Sequence, residues 1–158
     1  MEIEMARRLL LSSVINGTDG PVIFTYGDHP EWTFTVPAKF YVDVSSFYDE
    51  VAFPWVGNEG DMHKSYRFIP YRKGGSKVSY HVFQEFNSPG VDEIKVSSDG
   101  KYSSSTNLLT PVSFTDRLSI FVWPDSIEAI NLTCKAGADA GAARVRELHH
   151  GPTGSQAW

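Results

Sequence analysis

Val78-Ser79-Tyr80-His81-Val82-Phe83-Gln84-Glu85-Phe86 decides the fold of this chain. Val78, Tyr80, Val82, Gln84 and Phe86 fall on one side of an extended backbone, and Ser79, His81, Phe83 and Glu85 on the other. A period of two in a run rich in β-branched and aromatic residues is a strand. The stretch from Phe40 to Ser45 repeats the pattern, with Phe40, Val42 and Val44 alternating with Tyr41, Asp43 and Ser45. Working outward, strands are expected near 3–15, 21–26, 32–36, 39–45, 64–71, 77–86, 91–97, 117–123 and 126–134. Clusters of Gly, Pro, Asn, Asp and Ser separate them at 16–20, 27–30, 57–61, 73–76, 87–90, 98–100 and 124–126. No segment between strands carries an apolar stripe of period 3.6 long enough for a crossover helix, which argues against a βαβ architecture. The expected fold is all-β: a single-domain antiparallel β-sandwich, jelly-roll or Ig-like, of about 8–10 strands. It spans residues 1–148 and leaves a C-terminal tail at 149–158.

Three segments need separate treatment. Residues 2–15 have helix propensity, but the Asn16-Gly17 to Asp19-Gly20 turn before Pro21 to Tyr26 reads as the centre of one hairpin. Ala136 to Leu148 is rich in Ala and Gly, and either a short helix over Ala142 to Leu148 or a final strand fits it. Ser97 to Ser105 is expected to form a turn and a polar edge strand.

Composition limits the function. A chain of 158 residues buries about 70% of its unfolded surface and needs neither disulfides nor a metal to build a core. The single cysteine, Cys134, cannot form an internal bridge; it shares a strand face with Ile130 and Leu132 and is expected as a small buried hydrophobe. A hydrophobic fraction of 41% argues against disorder, and the apolar runs fall far short of the ~20 residues of a membrane helix, so no membrane partner is expected. A net charge of −5 argues against a nucleic-acid partner. Met5-Ala6-Arg7-Arg8 followed by Leu9 to Ile15 has the outline of a secretory signal, but Ser12 and Ser13 interrupt it, a turn cluster replaces the cleavage site, and Glu2 and Glu4 precede the arginines. No signal peptide is therefore expected, which points to a virion or the cytoplasm. Without a signal, the sequons Asn16-Gly17-Thr18 and Asn131-Leu132-Thr133 are expected to be chance.

No nucleophile elbow, zinc-protease helix, paired-cysteine motif or calcium loop occurs. Gly57 to Ser65 ends in Lys64-Ser65 but lacks the glycine a phosphate loop places before the lysine, and it carries two carboxylates where the phosphate would sit. Asp28, His29, Asp61 and His63 lie in two polar loops, and their convergence on a metal would make a small metal-dependent β-fold enzyme. Solvated turn residues explain them as well. His149-His150 reads as a surface tail and His81 as a structural histidine. No catalytic residue, cofactor or metal is expected.

Aromatic residues and charge carry more. The 21 aromatic side chains are dense between Trp32 and Tyr71, enough to fill a core and leave rings outside it. Tyr48, Trp55 and Trp123, each beside a proline or carboxylates at a loop edge, are the expected exposed rings, suited to stacking on a glycan or anchoring a protein. Trp158 ends a Gly/Pro/Ser tail and is either free in solvent or inserted into another surface. Residues 16–63 hold eight acids, among them Asp49, Glu50, Glu59 and Asp61, against Lys39 alone, a balance of −7. Residues 64–77 hold Lys64, Arg67, Arg72, Lys73 and Lys77 with no acid, a balance of +5. The two segments either pair as neighbouring strands or face different copies head to tail. The expectation is a non-enzymatic structural or interaction subunit of a homo-oligomeric or larger assembly, best a viral or phage decoration, tail or fibre-associated protein. Its interface is expected among these charged residues and Trp158. A carbohydrate-binding module is the alternative.

Overall fold

The computed structural model describes residues 9–48, 50–71, 78–87, 91–110, 117–132 and 135–150, and among these described residues there are ten strands and one α-helix. The strands are β1 Leu10–Asn16, β2 Val22–Tyr26, β3 His29–Val36, β4 Phe40–Asp43, β5 Tyr66–Ile69, β6 Tyr80–Asn87, β7 Val91–Ser97, β8 Thr106–Leu109, β9 Arg117–Val122 and β10 Ile127–Asn131; the helix is α1 Lys135–His150. They form a four-stranded sheet in the order β10-β9-β1-β4 and a six-stranded sheet in the order β3-β2-β5-β6-β7-β8. The fold is an all-β sandwich of one domain.

Alternation builds the core. Val22, Phe24 and Tyr26 of β2, Tyr66 and Phe68 of β5, and Tyr80 and Val82 of β6 project inward from one sheet. Val14 of β1, Leu118, Ile120 and Val122 of β9, and Ala129 of β10 meet them from the other. The four-stranded sheet is covered on its outer side as well, because Ile15, Phe121 and Ile130 pack against Leu148 of α1. Hence β9 is buried at every position after Arg117, as a strand covered on both faces must be. On the six-stranded sheet, Phe83 is covered by Val56, Met62 and Tyr102. The segment 51–56 straps the two sheets together at one end: Phe53 N–H donates to Leu9 O, Leu11 N–H to Val51 O, and Val56 N–H to Gln84 O. The hydroxyls of Tyr26 and Tyr66 both donate to Ala52 O in that strap, at 3.0 and 2.8 Å, which gives two core tyrosines a purpose phenylalanine would not serve.

The expected hairpin between residues 2–15 and 21–26 does not form. Strand β1 pairs antiparallel with β4 and parallel with β9, while β2 pairs with β3 and β5 in the other sheet. One parallel pair thus enters a sandwich expected to be antiparallel throughout. The cause is Asn16, fully buried at 0% exposure. Its amide nitrogen donates to the carbonyls of Gly20, Val36 and Pro37, and its oxygen accepts from the Thr18 backbone and hydroxyl. A turn whose first residue spends its side chain this way is a corner between sheets. The same burial rules out Asn16 as a glycan acceptor in the folded chain, and Asn131 is 5% exposed.

Helix formation takes the Ala-rich C-terminal segment, and α1 is longer than the expected 142–148. Gly141, Val145 and Leu148 share one face; a Cβ at Gly141 would come within 3.1 Å of Leu132. The polar segment after Ser97 forms the expected turn, but a 3₁₀ turn at Tyr102–Ser104 replaces the strand expected before Ser105, and the edge strand β8 begins only at Thr106. Strand β10 ends at Asn131, and Cys134 lies outside the described residues.

Candidate interaction surfaces

Strands β3 and β4 are edges of different sheets and contact each other, so they form one side of the sandwich. Their connection is short, and β4 passes into a 3₁₀ turn at Val44–Ser46 that Asp43 caps by accepting from Ser45 N–H. The turn throws Phe47 outward at 63% exposure, and Phe40 and Tyr41 are half exposed. A run of rings links this rim to the core. Buried Phe24 stacks on Phe34 at 4.7 Å, Phe34 on Phe47 at 6.2 Å, and Phe47 leans on Tyr48; Tyr48 stacks on Trp32 at 4.9 Å, and Trp32 on His29 at 4.4 Å. Phe47 is therefore held in place by Phe34 and Tyr48, while Phe40 and Tyr41 lean on each other at 5.0 Å. Exposed Asp28, Glu31, Asp43 and Glu50 are carried by the same strands and the chain beside them.

Beside this rim, Phe40 and Tyr41 also border a groove of about 360 Å³ between β4 and α1, with Val145 and Leu148 across from them. On its floor the hydroxyls of Ser13 and Ser119 are 2.5 Å apart.

The outer face of the six-stranded sheet differs. Arg67 and His81 are cross-strand partners, and they line a shallow cleft with Thr25, His63 and Ser65. Burial first, and then the Arg67 guanidinium, holds the His81 imidazole below its ordinary value of 6.5, with Asp99 opposing. Gly27 belongs here because a Cβ would lie 2.0 Å from His63 O.

The sequence-derived candidates are dispersed. Lys64 pairs with Asp61 at 3.6 Å, Glu59 accepts from Tyr102 N–H, and Arg67 and Glu50 are exposed. Asp49, Arg72, Lys73, Lys77 and Trp158 lie outside the described residues. The three rings expected to be exposed are half-buried. Tyr48 stacks on Trp32, Trp55 lies in the strap bridged to Gln84, and Trp123 packs on Phe121 while its indole N–H donates to Glu128. Proline and carboxylate neighbours mark loop edges correctly, but a sandwich folds such loops over its open ends. Phe40, Tyr41 and Phe47 take the exposed role instead; the signal for them was the adjacency of Phe40 and Tyr41, which sends one ring to each face of a short strand.

The loops holding Asp28/His29 and Asp61/His63 do touch, through Gly27 and the His63 carbonyl. Their side chains are occupied separately: His29 stacks on Trp32 and lies 3.4 Å from Glu31, and His63 Nδ1 is 3.0 Å from Gly60 O. Among the described residues no group of three or more His, Cys, Asp or Glu is placed to hold a metal. Comparison of the chain with protein-family models, curated proteins and solved structures finds no match.

Proposed function

We propose that this chain is a non-enzymatic interaction subunit that associates with further copies of itself, using the β3–β4 side as its docking surface. The observation that carries this reading is the group of exposed rings beside the β3 and β4 edges: Phe47, stacked on Phe34, and Phe40 with Tyr41, which lean on each other. An edge strand with exposed aromatics invites another chain, and sandwiches normally blunt their edges. The occupant is a second copy presenting its Arg67 face. Two acidic rims would repel each other, whereas the rim of a chain segment balanced at −7 complements the face that begins the segment balanced at +5. Such a contact is heterologous and propagates as a ring or a filament. A virion decoration, tail or fibre-associated protein is the assembly we favour, since shells and tails repeat small β-sandwich domains many times.

Native mass spectrometry and light scattering test this. Multiples of the 17.6 kDa chain mass are expected at low salt, falling to the single chain in Phe40→Ser/Phe47→Ser and weakening as salt rises. A monomer at every concentration would overturn the reading; association strengthened by salt would replace the head-to-tail contact by a symmetric one.

A further inference from the structure

Strand register brings three turns to one end of the four-stranded sheet. Asn16 is level with both Phe40 and Val122, and Val122 with Ile127, so the residues just beyond them converge. Gly17, Lys39, Trp123 and Ser126 from these turns, with Glu128 of β10 and Arg144 and Glu147 of α1, enclose a cleft of about 530 Å³, within the range of small-ligand sites.

The cleft is rigidly built. Glu128 accepts from the Trp123 indole N–H at 3.0 Å and from Arg144 Nε at 2.8 Å, and Arg144 reaches Glu147 at 3.3 Å. Gly17 lies so close to the indole that a Cβ would come within 2.2 Å of the ring. Lys39 adopts a left-handed backbone (φ 57°), and its ammonium donates to Gly17 O at 2.9 Å. A non-glycine residue keeps that conformation only where its surroundings impose it. The lining carries two cations, Lys39 and Arg144, and two carboxylates, Glu128 and Glu147. An anion would meet the carboxylates and a cation the lysine and arginine. A neutral polyol uses both, its hydroxyls donating to carboxylates and accepting from ammonium and guanidinium. Trp123 supplies the apolar complement, an electron-rich ring for the C–H face of a sugar.

We propose that this cleft binds a neutral pyranose, stacked on Trp123 and hydrogen-bonded to Lys39, Arg144 and Glu147. This goes beyond self-association and stands independently of it. The test is saturation-transfer NMR and tryptophan fluorescence with methyl glucoside, methyl galactoside, methyl mannoside and N-acetylglucosamine on the full chain. At least one sugar is expected to bind at millimolar concentration and to bind about tenfold more weakly to Trp123→Ala. Because Trp123 also packs on Phe121, two gentler variants carry the decision. Glu147→Gln changes an exposed side chain, and Lys39→Gly suits the left-handed backbone; each is expected to fold and to weaken binding several-fold. Silence from all four sugars, or unchanged affinity in both gentler variants, would overturn the proposal.

Discussion

On one side of the sandwich β3 and β4 lie over each other carrying Trp32, Phe34, Phe40 and Tyr41; on the other, β8 and β10 do so carrying Thr106, Asn107 and Glu128. The second side is treated as most natural edges are. Strand β8 is short and exposes Thr106 and Asn107 while Leu108 and Leu109 pack inward, Asn107 is tied to Thr110, and α1 packs beside β10 with Arg144 holding Glu128. On the first side Trp32 and Phe34 pack against the core, but Phe40 and Tyr41 stay half exposed, with Phe47 exposed beside them. Both sides face the same problem of open backbone edges, and only one solves it by itself. The edge left aromatic, in a molecule that blunts its other edge, is the feature on which the proposed docking surface rests.

The largest expected effect breaks this comparison directly. Phe40→Ser/Phe47→Ser should abolish association while shifting the unfolding midpoint little, because exposed substitutions stay within about 0.5 kcal/mol. Asn107→Lys on the opposite side should leave the mass of the assembly unchanged; equal losses from both would erase the distinction. Next in size, Asn16→Ala should cost about 3 kcal/mol in urea unfolding, since three carbonyls and the Thr18 donors lose their buried partner. Its effect should be uneven: Asn16 holds Val36 and Pro37 at the end of β3, so amide exchange should quicken in β3 and β4 and hardly change in β7 and β8. Tyr66→Phe should cost only about 1 kcal/mol, because Tyr26 still donates to Ala52 O.

The smallest effect concerns the face proposed to receive the aromatic rim. The folded chain holds His81 below its ordinary value of 6.5, so the unfolded chain takes up the proton more readily. Stability from neutral His81 is thus complete above pH 6.5 and is lost as pH falls below it. His81→Gln should remove that part of the acid sensitivity, seen as a flatter unfolding midpoint between neutral and mildly acidic pH.

The strands at 80–87 and 40–43 were legible because alternating runs of β-branched and aromatic residues favour extended backbone locally, although the second run passes into a 3₁₀ turn at Val44. The expected strand boundaries also match β2 and β7 closely, where turn residues flank short alternating runs. Pairing was not legible. Asn16-Gly17 has the composition of a hairpin turn, and only the burial of the Asn16 side chain against Val36 and Pro37 turns it into a corner. The rings divided similarly. Trp123 beside Pro124 reads as a loop residue at the surface, yet Gly17, distant in sequence, packs against its six-membered ring and leaves it half-buried.

By itself the sequence determined the class of fold, the single domain and the opposed charge of neighbouring segments, because these follow from local periodicity and from sums along the chain. Tertiary structure alone decided that β1 leaves β2 for the other sheet, that one side stays aromatic while the other is blunted, and that Lys39, Trp123 and Arg144 share a cleft. Those outcomes depend on contacts between residues far apart in the chain, which close packing selects and which no local pattern encodes.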